Sequence, residues 1–227
     1  MNGKIVLITG AKGGLGTDVT KAFLGEGATV IGVSRSIKQA DFPSLNFTAY
    51  PVDITQSQPT RELVEQIVSK HGRIDVLVNV AGGFAASPVH ATDDEGWNHL
   101  LSLNLSSAFY VAREVVKSMR QTGGGRLIAI GSLAAVEPHA GLGAYVATKT
   151  ALHVLYRTIA LENQDKNITA NVILPGTMDT PANRAAMPKV DPAKWMPPAE
   201  VARVALLLAQ KEAVPINGAL IPVSRDE

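Results

Sequence analysis

Two side chains able to move a proton stand four residues apart in Tyr145-Val146-Ala147-Thr148-Lys149. On a helix this spacing puts phenol and ammonium on one face, one turn apart. An ammonium beside a phenol favours the phenolate and draws its pKa from about 10 towards the working pH. A phenol tuned in this way can give or take the proton of an alcohol while a hydride moves at carbon. The pattern alone is short and frequent, and an exposed helix pair would look the same. Its surroundings decide. Ser132 lies thirteen residues upstream in Gly131-Ser132-Leu133-Ala134, just after an apolar run. On its own it reads as a turn or helix cap. Beyond a strand end, a serine can hydrogen-bond a carbonyl oxygen and stabilise its developing charge. Asn104 is a poor helix former inside an otherwise helical stretch. It is expected to mark a local irregularity that holds a water in a proton relay with Lys149.

A second constellation opens the chain. Thr9-Gly10-Ala11-Lys12-Gly13-Gly14-Leu15-Gly16 separates the β-branched run Ile5–Ile8 from a segment with Leu15, Val19, Ala22 and Phe23 at helical spacing. A glycine-rich turn between a buried strand and a helix start is a place for a pyrophosphate. Free backbone N–H groups and the helix dipole face the anion, and glycine allows close approach. The residues after the second strand, Val33-Ser34-Arg35-Ser36, include no carboxylate. An acidic residue there would bind a ribose 2′-hydroxyl, whereas an arginine accommodates a 2′-phosphate. Ser34 and Arg35 supply hydroxyl and planar cation, so NADP(H) is expected over NAD(H). Lys12 adds a possible second charge.

These groups need a scaffold. Strand-like runs are expected at Ile5–Ile8, Ala28–Val33, Phe47–Val52, Ile74–Val78, Arg126–Ile130, Ile168–Leu174 and Ala219–Val223. Helix-spaced segments lie between them: Pro59–Lys70, about Asp93–Met119, Tyr145–Glu162 and Pro198–Leu208. Such alternation predicts an α/β fold, a doubly wound Rossmann-type parallel sheet of about seven strands with helices on both faces. No composition break divides the 227 residues, so residues 1–227 are expected to form a single nucleotide-binding domain. Residues 178–197, rich in Pro, Ala and Met, are expected to be a loop or lid over substrate.

Composition removes other classes. The net charge of +1 implies no nucleic-acid face, and the absence of cysteine excludes disulfides and thiolate metal sites. The five histidines show no metal-ligand spacing, so no metal is expected. No signal-peptide core or apolar run of about 18 residues is present, and a cytoplasmic protein without membrane attachment is expected.

Together these motifs resemble the short-chain dehydrogenase/reductase family over nearly the whole chain. In order stand Thr9–Gly16, Asp53, Asn79-Val80-Ala81-Gly82, Asn104, Ser132, Tyr145 with Lys149, then Pro175-Gly176 and Thr180. The resemblance implies a catalytic tetrad of Asn104, Ser132, Tyr145 and Lys149. Tyr145 would be the general acid/base, Ser132 would orient the carbonyl, and Lys149 would also hold the nicotinamide ribose. Cofactor contacts are implied for Gly10, Lys12, Gly14, Leu15, Gly16, Ser34, Arg35, Asp53 and Ile54 at the adenosine and pyrophosphate end. Asn79, Ala81, Gly82, Pro175, Gly176, Met178 and Thr180 would line the nicotinamide end. Val80 departs from the family's usual asparagine. Relatives that bind NADP more often carry a basic residue where this chain has Gly13. The reaction implied is carbonyl–alcohol interconversion on a small molecule by a homodimer or homotetramer. Phe84, His139 and Trp195 are candidate substrate-pocket residues. The segment from Leu174 to Arg184, with Met187-Pro188, is similar to quinoid dihydropteridine reductases. Those enzymes lack the serine and favour NADH, so pteridine reduction stands as the alternative. A non-catalytic NADP(H) sensor is the other.

Overall fold

Strands form where β-branched and apolar residues run unbroken, because a parallel strand between two helix layers is buried on both faces. A computed structural model describes residues 1–225. It contains β1 (Ile5–Thr9), β2 (Thr29–Val33), β3 (Phe47–Tyr50), β4 (Val76–Asn79), β5 (Gly125–Ile130), β6 (Ile168–Pro175) and β7 (Leu220–Val223). All pair in parallel, in the order β3-β2-β1-β4-β5-β6-β7. The expected doubly wound Rossmann-type sheet is therefore present, with each strand within two residues of its expected limits.

The period of two along the strands sorts side chains between two cores. Leu7, Leu77, Leu127 and Ala129 join one layer, packed under α2 (Ser57–His71), α4 (Ser107–Thr122) and α5 (Gly143–Glu162). Val6, Ile8, Val76, Val78, Ile128 and Ile130 join the other, under α1 (Gly14–Gly25) and α7 (Pro198–Leu208). At the lower edge Asp75 is buried. Its carboxylate meets Lys4 at 3.0 Å and Arg73 at 2.9 Å and accepts the Ile5 N–H at 2.9 Å. That contact pins the start of β1 and so the register of the phosphate turn at its other end.

Two regions differ from expectation. The helix anticipated over Asp93–Met119 is interrupted. Asp93 caps α3 (Asp94–Leu101) by accepting the Gly96 N–H, and a π-helical segment, Ser102–Ser106, then leads into α4. Residues 178–197 are more regular than expected. Thr180 caps a short helix, α6 (Pro181–Ala186), and a bridge between Met178 and Met196 closes the base of the excursion. The hydroxyl cap followed by Pro181 at the first helical position was a readable signal for it. No helix among the described residues is long and apolar enough to cross a membrane.

Candidate active site

The strand order reverses between β1 and β4, which leaves a crevice at their carboxyl ends. The glycine turn sits at its rim, and each glycine there has a reason. Gly10 has φ 64°, and a Cβ on it would lie 2.9 Å from the Ala81 backbone. A Cβ on Gly16 would overlap the Gly10 carbonyl, and one on Gly14 would lie 3.0 Å from the Thr180 side chain. The turn is thus packed by backbone against backbone, with the N-terminus of α1 facing the crevice. Leu15 is buried among the α1 core residues, so only its main chain faces the turn. Thr180, reaching from the far side, spans the crevice.

Behind the turn, the Thr9 hydroxyl donates to Asn79 Oδ1 at 2.7 Å and accepts the Ala81 N–H at 3.1 Å. This ties β1 to the loop after β4. Gly82 and Gly83 follow. The Asn104 side chain grips Gly83 at both ends: Oδ1 accepts its N–H at 2.8 Å, and Nδ2 donates to its carbonyl at 3.1 Å. Nδ2 also lies 3.1 Å from Thr148 Oγ1, whose hydroxyl donates to the Tyr145 carbonyl at 2.8 Å. The expected irregularity at Asn104 is thus a π turn, a feature frequent at functional sites. Its side chain is committed to Gly83 and Thr148. Sequence reasoning missed both partners, although Thr148 lies inside the Tyr–Lys motif.

A point above the Gly82 Cα, where a Cβ would stand, is 2.9 Å from Asn104 Oδ1 and 3.1 Å from Lys149 Nζ. Glycine there leaves room for both side chains. Lys149 is buried and donates to the Ile130 carbonyl at 2.9 Å. Burial holds its pKa down to about 8. Tyr145, one turn earlier on α5, has its pKa raised by burial, with the Ser132 hydroxyl pulling the other way. The expectation that Lys149 lowers the phenol pKa is therefore corrected. Burial is the largest influence, the ammonium is turned to the Ile130 carbonyl, and Ser132 is the group that favours the phenolate. One turn further lies His153, which the sequence reading did not single out. It is buried, and its pKa is lowered to about 4 by burial and by Lys149. A Cβ on Gly131 would overlap its Nε2. A glycine before Ser132 is what admits this ring.

Phe84 follows the pinned Gly83, half-exposed, with its ring edge-on to Tyr145 at 5.0 Å and 73°. Beside it a cavity of about 250 Å³ opens between Ala85, Ser87, Asp93, Gly96 and Ala144. His139 is exposed on the loop before α5. Trp195 is 5% exposed. Its ring contributes to packing and not to an open pocket wall, which corrects the expectation for it. Pro175 ends β6, and the Gly176 N–H donates to the Val223 carbonyl at 3.0 Å.

At the other end of the crevice, Ser34 Oγ is buried with no hydrogen-bond partner, and Arg35 is exposed. Asp53 accepts both the hydroxyl (2.7 Å) and the N–H (3.0 Å) of Thr55, which hold its pKa down with help from Arg35. Ile54 is a core residue. Lys12 does not stand free. It pairs with Asp41 at 3.0 Å and lies 3.4 Å from the Ser36 carbonyl.

Residues 4–191 match the family profile described as short chain dehydrogenase. The chain belongs to that family. Among short-chain dehydrogenases with similar sequences is the 3-oxoacyl-(acyl-carrier-protein) reductase of Thermotoga maritima, 32% identical over 98% of this chain and 97% of the relative. The 2,5-dichloro-2,5-cyclohexadiene-1,4-diol dehydrogenase of Sphingobium indicum is 30% identical over 97% and 94%. Among solved structures, a short-chain dehydrogenase/reductase from Mycobacterium ulcerans superposes with a TM-score of 0.93 at 27% identity, over 98% of this chain and 89% of that one. ElxO with NADP bound gives 0.91 at 26% identity, over 98% and 97%. Like these relatives, the chain is an oxidoreductase of the NAD(P)-dependent short-chain type.

Proposed function

We propose that this short-chain dehydrogenase is an NADP(H)-preferring enzyme that interconverts a small-molecule carbonyl and its alcohol, with Tyr145 as general acid/base. The observation that carries the reading is one cluster at the crevice: Ser132 beside the Tyr145 phenol, and Lys149 and Asn104 each reaching the space above Gly82. The nucleotide fits the residues present. The Gly10, Gly14 and Gly16 cradle would take the pyrophosphate on the N-terminus of α1. The orphaned Ser34 hydroxyl and Arg35 would take the 2′-phosphate. Asp53 and Ile54 would flank the adenine. Asn79, Ala81, Gly82, Pro175, Gly176, Met178 and Thr180 would wall the nicotinamide end.

Bound NADPH supplies the hydride that a carbonyl carbon receives. The chain supplies the rest. Ser132 holds the carbonyl oxygen by its hydroxyl, and Tyr145 delivers a proton to that oxygen as charge develops there. Raised by burial, the phenol keeps its proton at neutral pH until the oxygen can take it. Lys149, still largely protonated below about pH 8, would hold the ribose hydroxyls. In the similar proteins whose names state a reaction, one is a reductase of an oxoacyl group and another a diol dehydrogenase. Both directions of the same chemistry are represented.

The test is NADPH oxidation over a panel of ketones, aldehydes and quinonoid dihydropterins. Turnover of ketones or aldehydes is expected. Turnover of dihydropterins alone would transfer the assignment to pteridine reduction, and tight NADPH binding without any turnover would make the protein a sensor. The same reading includes self-association. Phe109 on α4 and Val154 and Leu161 on α5 are 41%, 58% and 68% exposed, an apolar set that a second copy would cover. Light scattering is expected to give a dimer or tetramer, and a monomer-mass particle would refute this part.

A further inference from the structure

The charges around the end of β2 do more than receive a phosphate. Lys12 crosses from the glycine turn to the Ser36 carbonyl, so its ammonium lies beside the Ser34–Arg35 corner. There it is already matched by a carboxylate. Asp41, at the end of the short 3-10 turn Gln39–Asp41, meets it at 3.0 Å and accepts the Lys38 N–H at 2.8 Å. These two contacts hold the Asp41 carboxyl below its usual range, the Lys38 N–H being the stronger influence and Lys12 the next. Asp41 is therefore ionised throughout neutral pH.

We infer that Asp41 is a specificity-determining residue that weakens the enzyme's discrimination for the 2′-phosphate by holding Lys12 as its own counter-ion. The inference rests on the NADP(H) reading above. A 2′-phosphate seated against Ser34 and Arg35 adds close to two negative charges near a carboxylate that cannot move far, because the Lys38 N–H anchors it. Lys12 must then be shared between Asp41 and phosphate. A 2′-hydroxyl adds no charge, so the cost falls on NADP(H) and not on NAD(H). Arg35 and Lys38 are then the cations near this corner without a carboxylate within ion-pair distance among the described residues, and Lys38 acts on Asp41 only at longer range. Lys12 is a held reserve, and the pair is partly exposed, so its influence is moderate and screened by salt.

The substitution Asp41→Asn keeps the oxygen that accepts the Lys38 N–H and removes the charge. NADPH, NADH, 2′-AMP and 5′-AMP would each be titrated into wild type, Asp41→Asn, Lys12→Met, the double variant and Arg35→Ala. Asp41→Asn is expected to tighten NADPH and 2′-AMP about fivefold, with NADH and 5′-AMP within about twofold, a size typical of one partly exposed charge pair. The gain should disappear in the double variant and shrink in 0.5 M salt. An unchanged or weakened NADPH affinity in Asp41→Asn, while Arg35→Ala collapses the NADPH/NADH ratio, overturns the inference and leaves the NADP reading standing. A ratio unmoved by Arg35→Ala overturns the NADP reading itself. A gain that persists in the double variant shows that Asp41 acts without Lys12, and this too overturns the mechanism.

Discussion

Tyr145→Phe is expected to lower kcat by about 10³-fold, within the range for loss of a positioned general acid. The change removes one oxygen. The ring keeps its edge contact with Phe84, and the neighbouring Thr148 keeps its bond to the main-chain carbonyl of residue 145, so the site should hold its shape. Burial raises the phenol pKa, which keeps the Tyr145 proton in place at neutral pH. The buried imidazole further along the same helix does not replace that proton. His153 is neutral near pH 7, with its pKa lowered to about 4, and it lies behind Gly131. Loss of an interaction made in the transition state lowers kcat and kcat/KM together. Steady-state kinetics on the best ketone should show that pattern, and fluorescence titration should keep the NADPH Kd within about twofold. A kcat within tenfold of wild type would remove Tyr145 from the acid/base role. A lost NADPH affinity would show that the phenol holds nucleotide instead.

The sequence disclosed the parts of this site that repeat with a local period. Strands buried on both faces announce themselves as unbroken apolar runs, and Tyr145 and Lys149 share a face because a helix has 3.6 residues per turn. The glycine turn was readable because close backbone approach permits little else at Gly10 and Gly16. What stayed hidden depends on contacts between distant residues. The grip of Asn104 on Gly83 joins positions 21 apart through a π turn that has no periodic signature. The Lys12–Asp41 pair joins two loops. The direction of the Tyr145 shift was misjudged because spacing shows which groups are neighbours and not how deeply they are buried. Burial outweighed the neighbour.

Lys149 is where burial has its largest consequence, and it supports the last prediction. An ammonium 5% exposed, with one hydrogen bond to a backbone carbonyl and no carboxylate partner among the described residues, is a charge held at a cost. The drop from 10.5 to about 8 corresponds to about 3 kcal/mol against folding with the charge in place. Removing the donor to Ile130 gives back about 1 kcal/mol. Lys149→Met is therefore expected to stabilise the protein by about 2 kcal/mol at pH 7 while reducing kcat at least 100-fold, a trade of stability against activity. The sign of the pH dependence follows from proton binding. An unfolded lysine keeps its proton up to its ordinary pKa of 10.5, whereas the folded one releases it near 8. Between those values the unfolded chain binds more protons, so wild-type stability rises with pH across that window. Lys149→Met has no such group, and its advantage should shrink as pH climbs from 8 towards 10.5. Over the same span the wild-type reduction rate should fall, because the lysine charge proposed to hold the ribose is being lost. Urea melts of both proteins at pH 7 and pH 10 measure the first effect, and a pH–rate profile the second. A variant less stable than wild type at pH 7 would show that Lys149 is compensated in a way this geometry does not contain. A rate that stays flat through pH 8 would separate its charge from catalysis.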